Sequence, residues 1–436
     1  MFISSTALLP SSLAMNCVAL ALALAVSPPS RGNTFGLIFV IGIGSLVGWP
    51  FMAVLLIPLF LNDVLLSVRG IKSLLDRLLR WASYGLLCIA LIGAPIAILD
   101  YLFYRKMEFV PLNIVWYNVF NSGGQGGPDI FGTEPWNYYL KNLFLNFNLV
   151  FILAIATVPI LLLSLIHSRL WGSLDKHTLH LSYFARCSAF YLWLAIFTLQ
   201  PHKEERFMFV VYPLICFNAA VSLHLLRNMT LSWTSIPAWP TYFLLGVFAS
   251  LSISRSMALY TNYSAPMVVY SHFAAQFSSS SGPGIADGSS RLCIGKEWHR
   301  FPSHFFVPDN VTVSFIKSEF DGILPKLFPP DAGSWRSGTW SVPSGMNDVN
   351  REEVDRYVAL EQCDFLIDSD FSHGAIDDRD PGGLEPVYRR DTGVWEEVES
   401  VSFLNAAATP FWARVLYLPF LGRHRVWGDF TLLKRI

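Results

Sequence analysis

Apolar residues fall in long blocks through the first part of this chain and in short runs after it. The blocks are Phe2–Val26, Phe35–Leu61, Trp81–Tyr101, Leu143–Ile166, Leu181–Leu199, Phe207–Leu226 and Thr241–Leu259. Each is near the ~20 residues that a helix needs to cross a bilayer, which predicts about seven crossings. Pro50 and Pro58 lie inside the second block and predict a kinked helix there, and Pro10, Pro95 and Pro159 invite kinks elsewhere. Backbone groups freed at kinks must be satisfied within the protein, so these helices are expected to pack together. The first block has no basic leading segment and runs on into Ser27-Pro28-Pro29, unlike a secretory signal.

Beyond residue 260 the pattern changes. Arg291–Ile294, Val311–Ile316, Cys363–Asp368 and Phe430–Lys434 read as short strands, and Glu352–Glu361 and Ala407–Tyr417 as helices. Ser278–Ser290 is rich in Ser and Gly and reads as a linker, and Asp331–Met346 is loop-like. The expected architecture is a polytopic α-helical membrane domain over 1–259, followed by an α/β domain over 260–436.

Composition agrees with that division. Hydrophobic residues make up 53% of the chain and charged residues only 14%, which excludes an ordinary soluble enzyme. The net charge of −1 conceals a slightly basic first part and an acidic second part. The short segment Asn62–Arg80 carries Arg69, Lys72, Arg77 and Arg80 against Asp63 and Asp76, so it is expected to face the cytosol. Alternation then places Leu102–Asn142, the segment after Leu199 and the whole C-terminal part on the opposite, luminal side. His167–His180 returns to the cytosol. Two glycosylation sequons, at Asn262 and Asn310, lie in the expected luminal part, whereas Asn228 would face the cytosol. Cys293 and Cys363 are too far apart in sequence for a zinc knuckle, and a disulfide suits a luminal setting better.

Two segments carry candidate chemistry. His202-Lys203-Glu204-Glu205-Arg206 packs five ionisable groups between two apolar blocks. Such a loop at a membrane surface suits a phosphate or pyrophosphate headgroup, with cations donating and carboxylates orienting them. The alternative is a solvated turn. The second segment, Asp100–Lys141, sets Asn113, Tyr117, Asp129, Glu134 and Trp136 among further aromatics. Aromatic faces beside amides and carboxylates fit a sugar, whose ring stacks and whose hydroxyls bond. An interfacial aromatic belt accounts for Trp136 but not for Asp129 and Glu134.

Soluble-enzyme signatures are absent: no GxSxG, HExxH, P-loop or GxGxxG. Gly123-Gly124-Gln125-Gly126-Gly127 has no following Lys-Ser/Thr and reads first as a loop tip. The ten histidines show no metal-ligand spacing, and Asp377-Asp378-Arg379-Asp380 reads as a solvated acidic loop. Neither a metal or other cofactor nor a nucleic-acid partner is expected. A transporter would carry its ionisable groups near the midplane of the helices, and a luminal scaffold would not need so many crossings.

His202-Lys203-Glu204-Glu205-Arg206-Phe207 resembles the signature of the luminal mannosyltransferases of glycosyltransferase family 22. Gly132-Thr133-Glu134-Pro135-Trp136, Phe144-Leu145-Asn146-Phe147-Asn148, Gly295–Pro302, Pro308-Asp309-Asn310 and Met346-Asn347-Asp348 resemble one branch of it, the dolichyl-phosphate-mannose-dependent α-1,2-mannosyltransferases of N-glycan precursor assembly. The loop motif alone is shared with α-1,6 and membrane-anchor mannosyltransferases, and the C-terminal motifs separate them. The resemblance implies a GT-C fold, multi-pass in the endoplasmic reticulum membrane. It implies a dolichyl phosphate mannose donor and a dolichyl-pyrophosphate-linked oligosaccharide acceptor, which gains two α-1,2 mannoses, the seventh and the ninth. It also implies inverting transfer assisted by a general base. The family's catalytic carboxylates lie in a luminal loop to which Met1–Thr6 is already C-terminal. By this reading the chain is N-terminally incomplete, the base precedes Met1, and no catalytic residue is assigned. His202, Lys203, Glu204, Glu205, Arg206, Asn113, Tyr117, Asp129, Glu134 and Trp136 are the expected substrate-binding residues.

Overall fold

The computed structural model describes residues 2–66, 70–120, 127–171, 176–231, 239–279, 290–302, 304–327, 345–371 and 383–436. Most of the Ser278–Ser290 linker, of Asp331–Met346 and of the Gly123–Gly127 run, and all of Asp377–Asp380, lie outside them. The chain forms two compact units, one running to Ala249 and the other beginning at Ser250.

The first unit is helical. Among the described residues six helices are long and apolar enough to cross a membrane: Arg31–Gly48, Ile71–Tyr104, Tyr138–His167, Ser182–Leu199, Glu205–Met229 and Trp239–Tyr263. Pro10–Val26 and Pro50–Val64 are shorter apolar helices. The chain is thus a multi-pass membrane protein, mostly helical, with a small C-terminal sheet, as a GT-C membrane glycosyltransferase is expected to be.

The second apolar block departs from expectation. It is not one kinked helix but two pieces that part at Trp49. Helix Arg31–Ile43 passes through a π-turn, Gly44–Gly48, and stops at Trp49, whose backbone is extended (φ −123°, ψ 114°). The cause is Pro50, whose ring disfavours helical geometry in the residue before it. The break turns the Trp49 indole onto Trp193, Phe197 and Phe207, with ring centroids 5.7, 5.3 and 5.0 Å away. Close packing here also needs Gly44, where an added Cβ would lie 2.3 Å from the Met52 sulfur.

The expected cytosolic loop Asn62–Arg80 is largely helical as well, since the second long helix begins at Ile71. Asp63 holds that start: it pairs with Arg77 and accepts the Trp81 indole N–H at 2.8 Å. Deeper in the unit, Thr157 and Ser222 hydrogen-bond across helices at 2.8 Å, and the buried Asn218 amide donates to the Cys187 carbonyl. These polar links replace water that a bilayer does not offer.

The second unit is built on a five-stranded mixed sheet of order β2-β1-β3-β5-β4. The strands are β1 Ser290–Ile294, β2 Val311–Phe315, β3 Phe365–Asp370, β4 Trp395–Leu404 and β5 Trp427–Arg435. β1 runs parallel to β2 and β3, and β5 runs antiparallel to β3 and β4. Helix Ala265–Ser279 buries Val269, Tyr270 and Phe273 in a cluster with Leu292, Ile294, Ile367, Phe403 and Phe430. On the other side Cys293 and Cys363 form a disulfide within a cluster that includes Leu366, Trp395 and Leu433.

Three expectations for this unit need correction. Glu352–Glu361 is not a helix but two single 3-10 turns, Val354–Arg356 and Leu360–Gln362. Val358 instead donates its N–H to the Phe315 carbonyl, which draws the segment to the end of β2. In Ala407–Tyr417 only Phe411–Val415 is helical, because Pro410 blocks an earlier start. The Asn262 side chain is 1% exposed and donates to the Arg414 carbonyl, so that sequon is not an open acceptor, whereas Asn310 is exposed.

Candidate functional site

The two charged and aromatic segments meet in the first unit. Phe131, Gly132, Thr133 and Glu134 from one, and His202, Lys203, Glu204 and Arg206 from the other, line a cavity of about 360 Å³. A main-chain bond from Glu134 N–H to the Pro201 carbonyl, 3.0 Å, zips the segments together. Below them Phe207 anchors the charged loop: its carbonyl accepts the buried Trp193 indole N–H at 3.0 Å, and its ring packs on Trp49.

Each ionisable group of the motif has a distinct place. His202 bridges the segments, with Nδ1 2.7 Å from the Gly132 carbonyl oxygen and Nε2 3.2 Å from the Glu204 carboxylate. Glu204 grips Arg206 by a fork, Oε1 to Nη2 at 2.7 Å and Oε2 to Nε at 2.6 Å. This pairing fixes the guanidinium plane and leaves its other N–H groups for an anion. Arg206 is exposed, and it and His202 are the basic groups set to meet a ligand.

Lys203 is placed otherwise than the charge pattern predicts. It is 6% exposed, and its ammonium donates to the carbonyls of Glu134 (2.8 Å), Gln200 (2.5 Å) and Pro201 (3.5 Å). All three ammonium hydrogens are thereby engaged. Burial pulls the group below its ordinary lysine value, opposed by the nearby Glu134 charge. In this structure Lys203 ties the two segments together, while it also lines the cavity. Glu205 also turns away: it accepts the Asn146 amide at 2.9 Å, and it does not line the cavity.

Asn146 sits in a distorted part of its helix. Asn148, in the same motif, has φ 43° and ψ −120°, an interruption inside Tyr138–Ile155. Asn is among the few residues that tolerate positive φ, and such strain gathers at functional sites. Its Oδ1 accepts the Leu149 N–H at 2.7 Å.

The sugar-binding set divides. Glu134 lines the cavity. Asp129 lies in the 3-10 turn Pro128–Phe131, whose last residue also lines it, and its Oδ1 is buried without a hydrogen-bond partner. Trp136 is exposed and outside the lining. Asn113 and Tyr117 belong to a neighbouring helical turn. Asn113 donates to Glu108 at 2.5 Å, and the Tyr117 hydroxyl accepts the Gly127 N–H at 3.1 Å. Tyr117 thus braces the start of the Gly127–Glu134 segment from outside the cavity. Sequence reading overlooked the Gly132 carbonyl and Phe131, since a main-chain acceptor and a wall residue leave no charge pattern. Among the described residues no group of three or more His, Cys, Asp or Glu side chains is arranged to hold a metal.

Sequence comparison with known proteins identifies the family. The profile of the Alg9-like mannosyltransferase family matches residues 1–308. Alpha-1,2-mannosyltransferase alg9 of Schizosaccharomyces pombe is 40% identical over 99% of this chain and 73% of its own length. Alpha-1,2-mannosyltransferase Alg9 of Drosophila melanogaster is 38% identical over 100% of this chain and 67% of its own, and ALG9 of Mus musculus is 36% identical over 100% and 68%. No solved structure matches. With a family profile over residues 1–308 and relatives that align with nearly all of this chain, the chain belongs to the Alg9-like mannosyltransferase family.

Proposed function

We propose that this protein transfers mannose from dolichyl phosphate mannose, in α-1,2 linkage, to the dolichyl-pyrophosphate-linked oligosaccharide precursor of N-glycans. The reaction takes place at the luminal face of the endoplasmic reticulum membrane. In this reading 1–259 is the membrane domain, 260–436 the luminal one, and the His202–Arg206 cavity opens to the lumen.

The observation that carries the reading is the fork between Glu204 and Arg206 at the mouth of a cavity walled by Gly132–Glu134. In the transfer, an acceptor hydroxyl oxygen bonds to C1 of mannose as the bond from C1 to the phosphate oxygen breaks. Dolichyl phosphate leaves with the electron pair, and the hydroxyl proton passes to a base. A β-linked donor then gives an α product. Arg206 and His202 meet the phosphate, where negative charge grows as the bond breaks, and donors held in place beforehand act best there. Glu134 accepts from sugar hydroxyls. The alternative, an α-1,6 or membrane-anchor acceptor, is disfavoured because the α-1,2 relatives match through the C-terminal unit as well.

The test is a chimaera in which this chain replaces the matching segment of the Schizosaccharomyces pombe relative, expressed in cells lacking that relative. Lipid-linked glycans are then sized. Progression past the intermediate that awaits its seventh mannose supports the reading. A precursor stalled there, with the chimaera at normal level in the membrane, overturns it.

A further inference from the structure

The second unit holds a larger cleft, of about 1040 Å³, lined from the ends of β1, β3 and β5. Residues 296–300 follow β1, Ser369–Phe371 close β3, and Arg435 closes β5. Because β5 runs antiparallel to β3, Arg435, with Leu360, Glu361 and Trp395, lies by the amino end of β3, so the cleft extends along the sheet from there to the carboxyl ends of the parallel neighbours β1 and β3. The volume is at the upper end for small-molecule sites, more than a single sugar ring fills.

Its floor is a set of buried, mutually satisfied charges. Asp368, 1% exposed, pairs with Lys296 at 2.8 Å and accepts the Tyr388 N–H at 3.0 Å. Glu297, 2% exposed, accepts the Ser369 hydroxyl at 2.6 Å and two bonds from Arg300, at 2.8 and 2.6 Å. Buried ion pairs seldom add stability over apolar packing, so two of them under one cleft call for another reason. They hold the segment after β1 rigidly against the end of β3.

The cleft's chemistry narrows its ligand. Four Lys or Arg and five Asp or Glu line it, together with His299, Tyr388 and Phe371. A phosphate or nucleotide site carries a surplus of cations, and this lining has none. Donors and acceptors in near balance, beside aromatic faces, suit a neutral ligand whose every polar group both donates and accepts. That is the hydroxyl pattern of a sugar. Burial and the neighbouring Arg300 charge hold His299 below its usual value.

We propose that this cleft is a carbohydrate-binding site for a branch of the mannose-rich oligosaccharide, distinct from the His202–Arg206 cavity. The proposal rests on the mannosyltransferase reading for its choice of sugar.

The test uses the whole chain in detergent micelles and a free α-linked mannopentaose carrying neither dolichol nor phosphate. Saturation-transfer NMR and calorimetry read its binding. Mannopentaose should bind, and neither a galactose pentasaccharide nor inorganic phosphate should displace it. Tyr388→Phe with Arg390→Gln should weaken binding at least tenfold while the thermal unfolding midpoint holds. Arg206→Ala should leave binding within twofold. No binding, displacement by phosphate, or loss with Arg206→Ala alone would each overturn the proposal. The two readings fail separately: the chimaera reports transfer, whereas this measurement reports a hold on sugar that needs no lipid.

Discussion

The Lys203 ammonium donates to the Glu134 carbonyl at 2.8 Å, across 69 residues of sequence. With the Glu134 N–H on the Pro201 carbonyl and His202 on the Gly132 carbonyl, it joins the two segments that wall the candidate site. Lys203 is thus turned to main-chain acceptors, and Arg206, three residues on, meets solvent.

If Lys203 is a latch, its loss is felt first in stability. Lys203→Met orphans carbonyl acceptors, and an unsatisfied buried polar group costs about 1–3 kcal/mol. The variant is expected to melt earlier and to be cut faster by protease within 127–137. An unchanged midpoint with weakened lipid binding would make Lys203 a headgroup ligand after all.

Arg206→Ala is expected to lower transfer by the chimaera tenfold or more, since a charge-assisted contact to a partly buried phosphate is worth ~1.5–3 kcal/mol. Glu204→Gln keeps the shape but loosens the fork, and should fall between Arg206→Ala and the parent. Activity matching the parent in both variants, at equal protein level, would reduce the fork to a surface ion pair.

Glycan mapping separates the two sequons. Asn310 precedes β2 at the sheet edge and is exposed, so it is expected to carry a glycan when the chain is made in microsomes. Asn262 is expected to stay bare. Asn310→Gln should abolish the mobility shift and Asn262→Gln should not. Absence of any shift would argue against the luminal placement of the second unit.

The disulfide between Cys293 and Cys363 closes 70 residues and ties β1 to the entry of β3. On a chain-entropy account such a link stabilises by about 4 kcal/mol. Replacing both cysteines with Ala should make the second unit the first part of the molecule to yield to protease. Equal resistance in the two proteins would show that the sheet core suffices.

Acid should weaken the second unit through Glu352. Hydrogen bonds from Lys317 and Tyr357 hold its carboxyl below the ordinary 4.5. The folded state then binds fewer protons than the unfolded one between the two values, so this contribution is present above about pH 4.5 and fades as pH falls through the folded value. Glu352→Gln should flatten the fall of the unfolding midpoint between pH 5 and 3. A parallel fall in both proteins would assign the acid sensitivity to other carboxylates.

The membrane character, the sheet-bearing second part, four of its five strands and the two chemistry-bearing segments were all legible in the sequence. Each rests on a local property: block length, alternation, or density of charge. β4 was missed because Glu396, Glu397 and Glu399 mask its alternation, and a register shift between Glu397 and Glu399 breaks it further. What each charged side chain does was decided only by tertiary structure. Lys203 and Arg206 are both cations on one loop, yet one faces carbonyls from another segment and the other faces solvent. Asn262 and Asn310 carry equivalent sequons, yet Arg414, 152 residues away in sequence, buries the first. A side chain's partners are set by segments far off in the chain, and a pattern confined to neighbours carries no record of them.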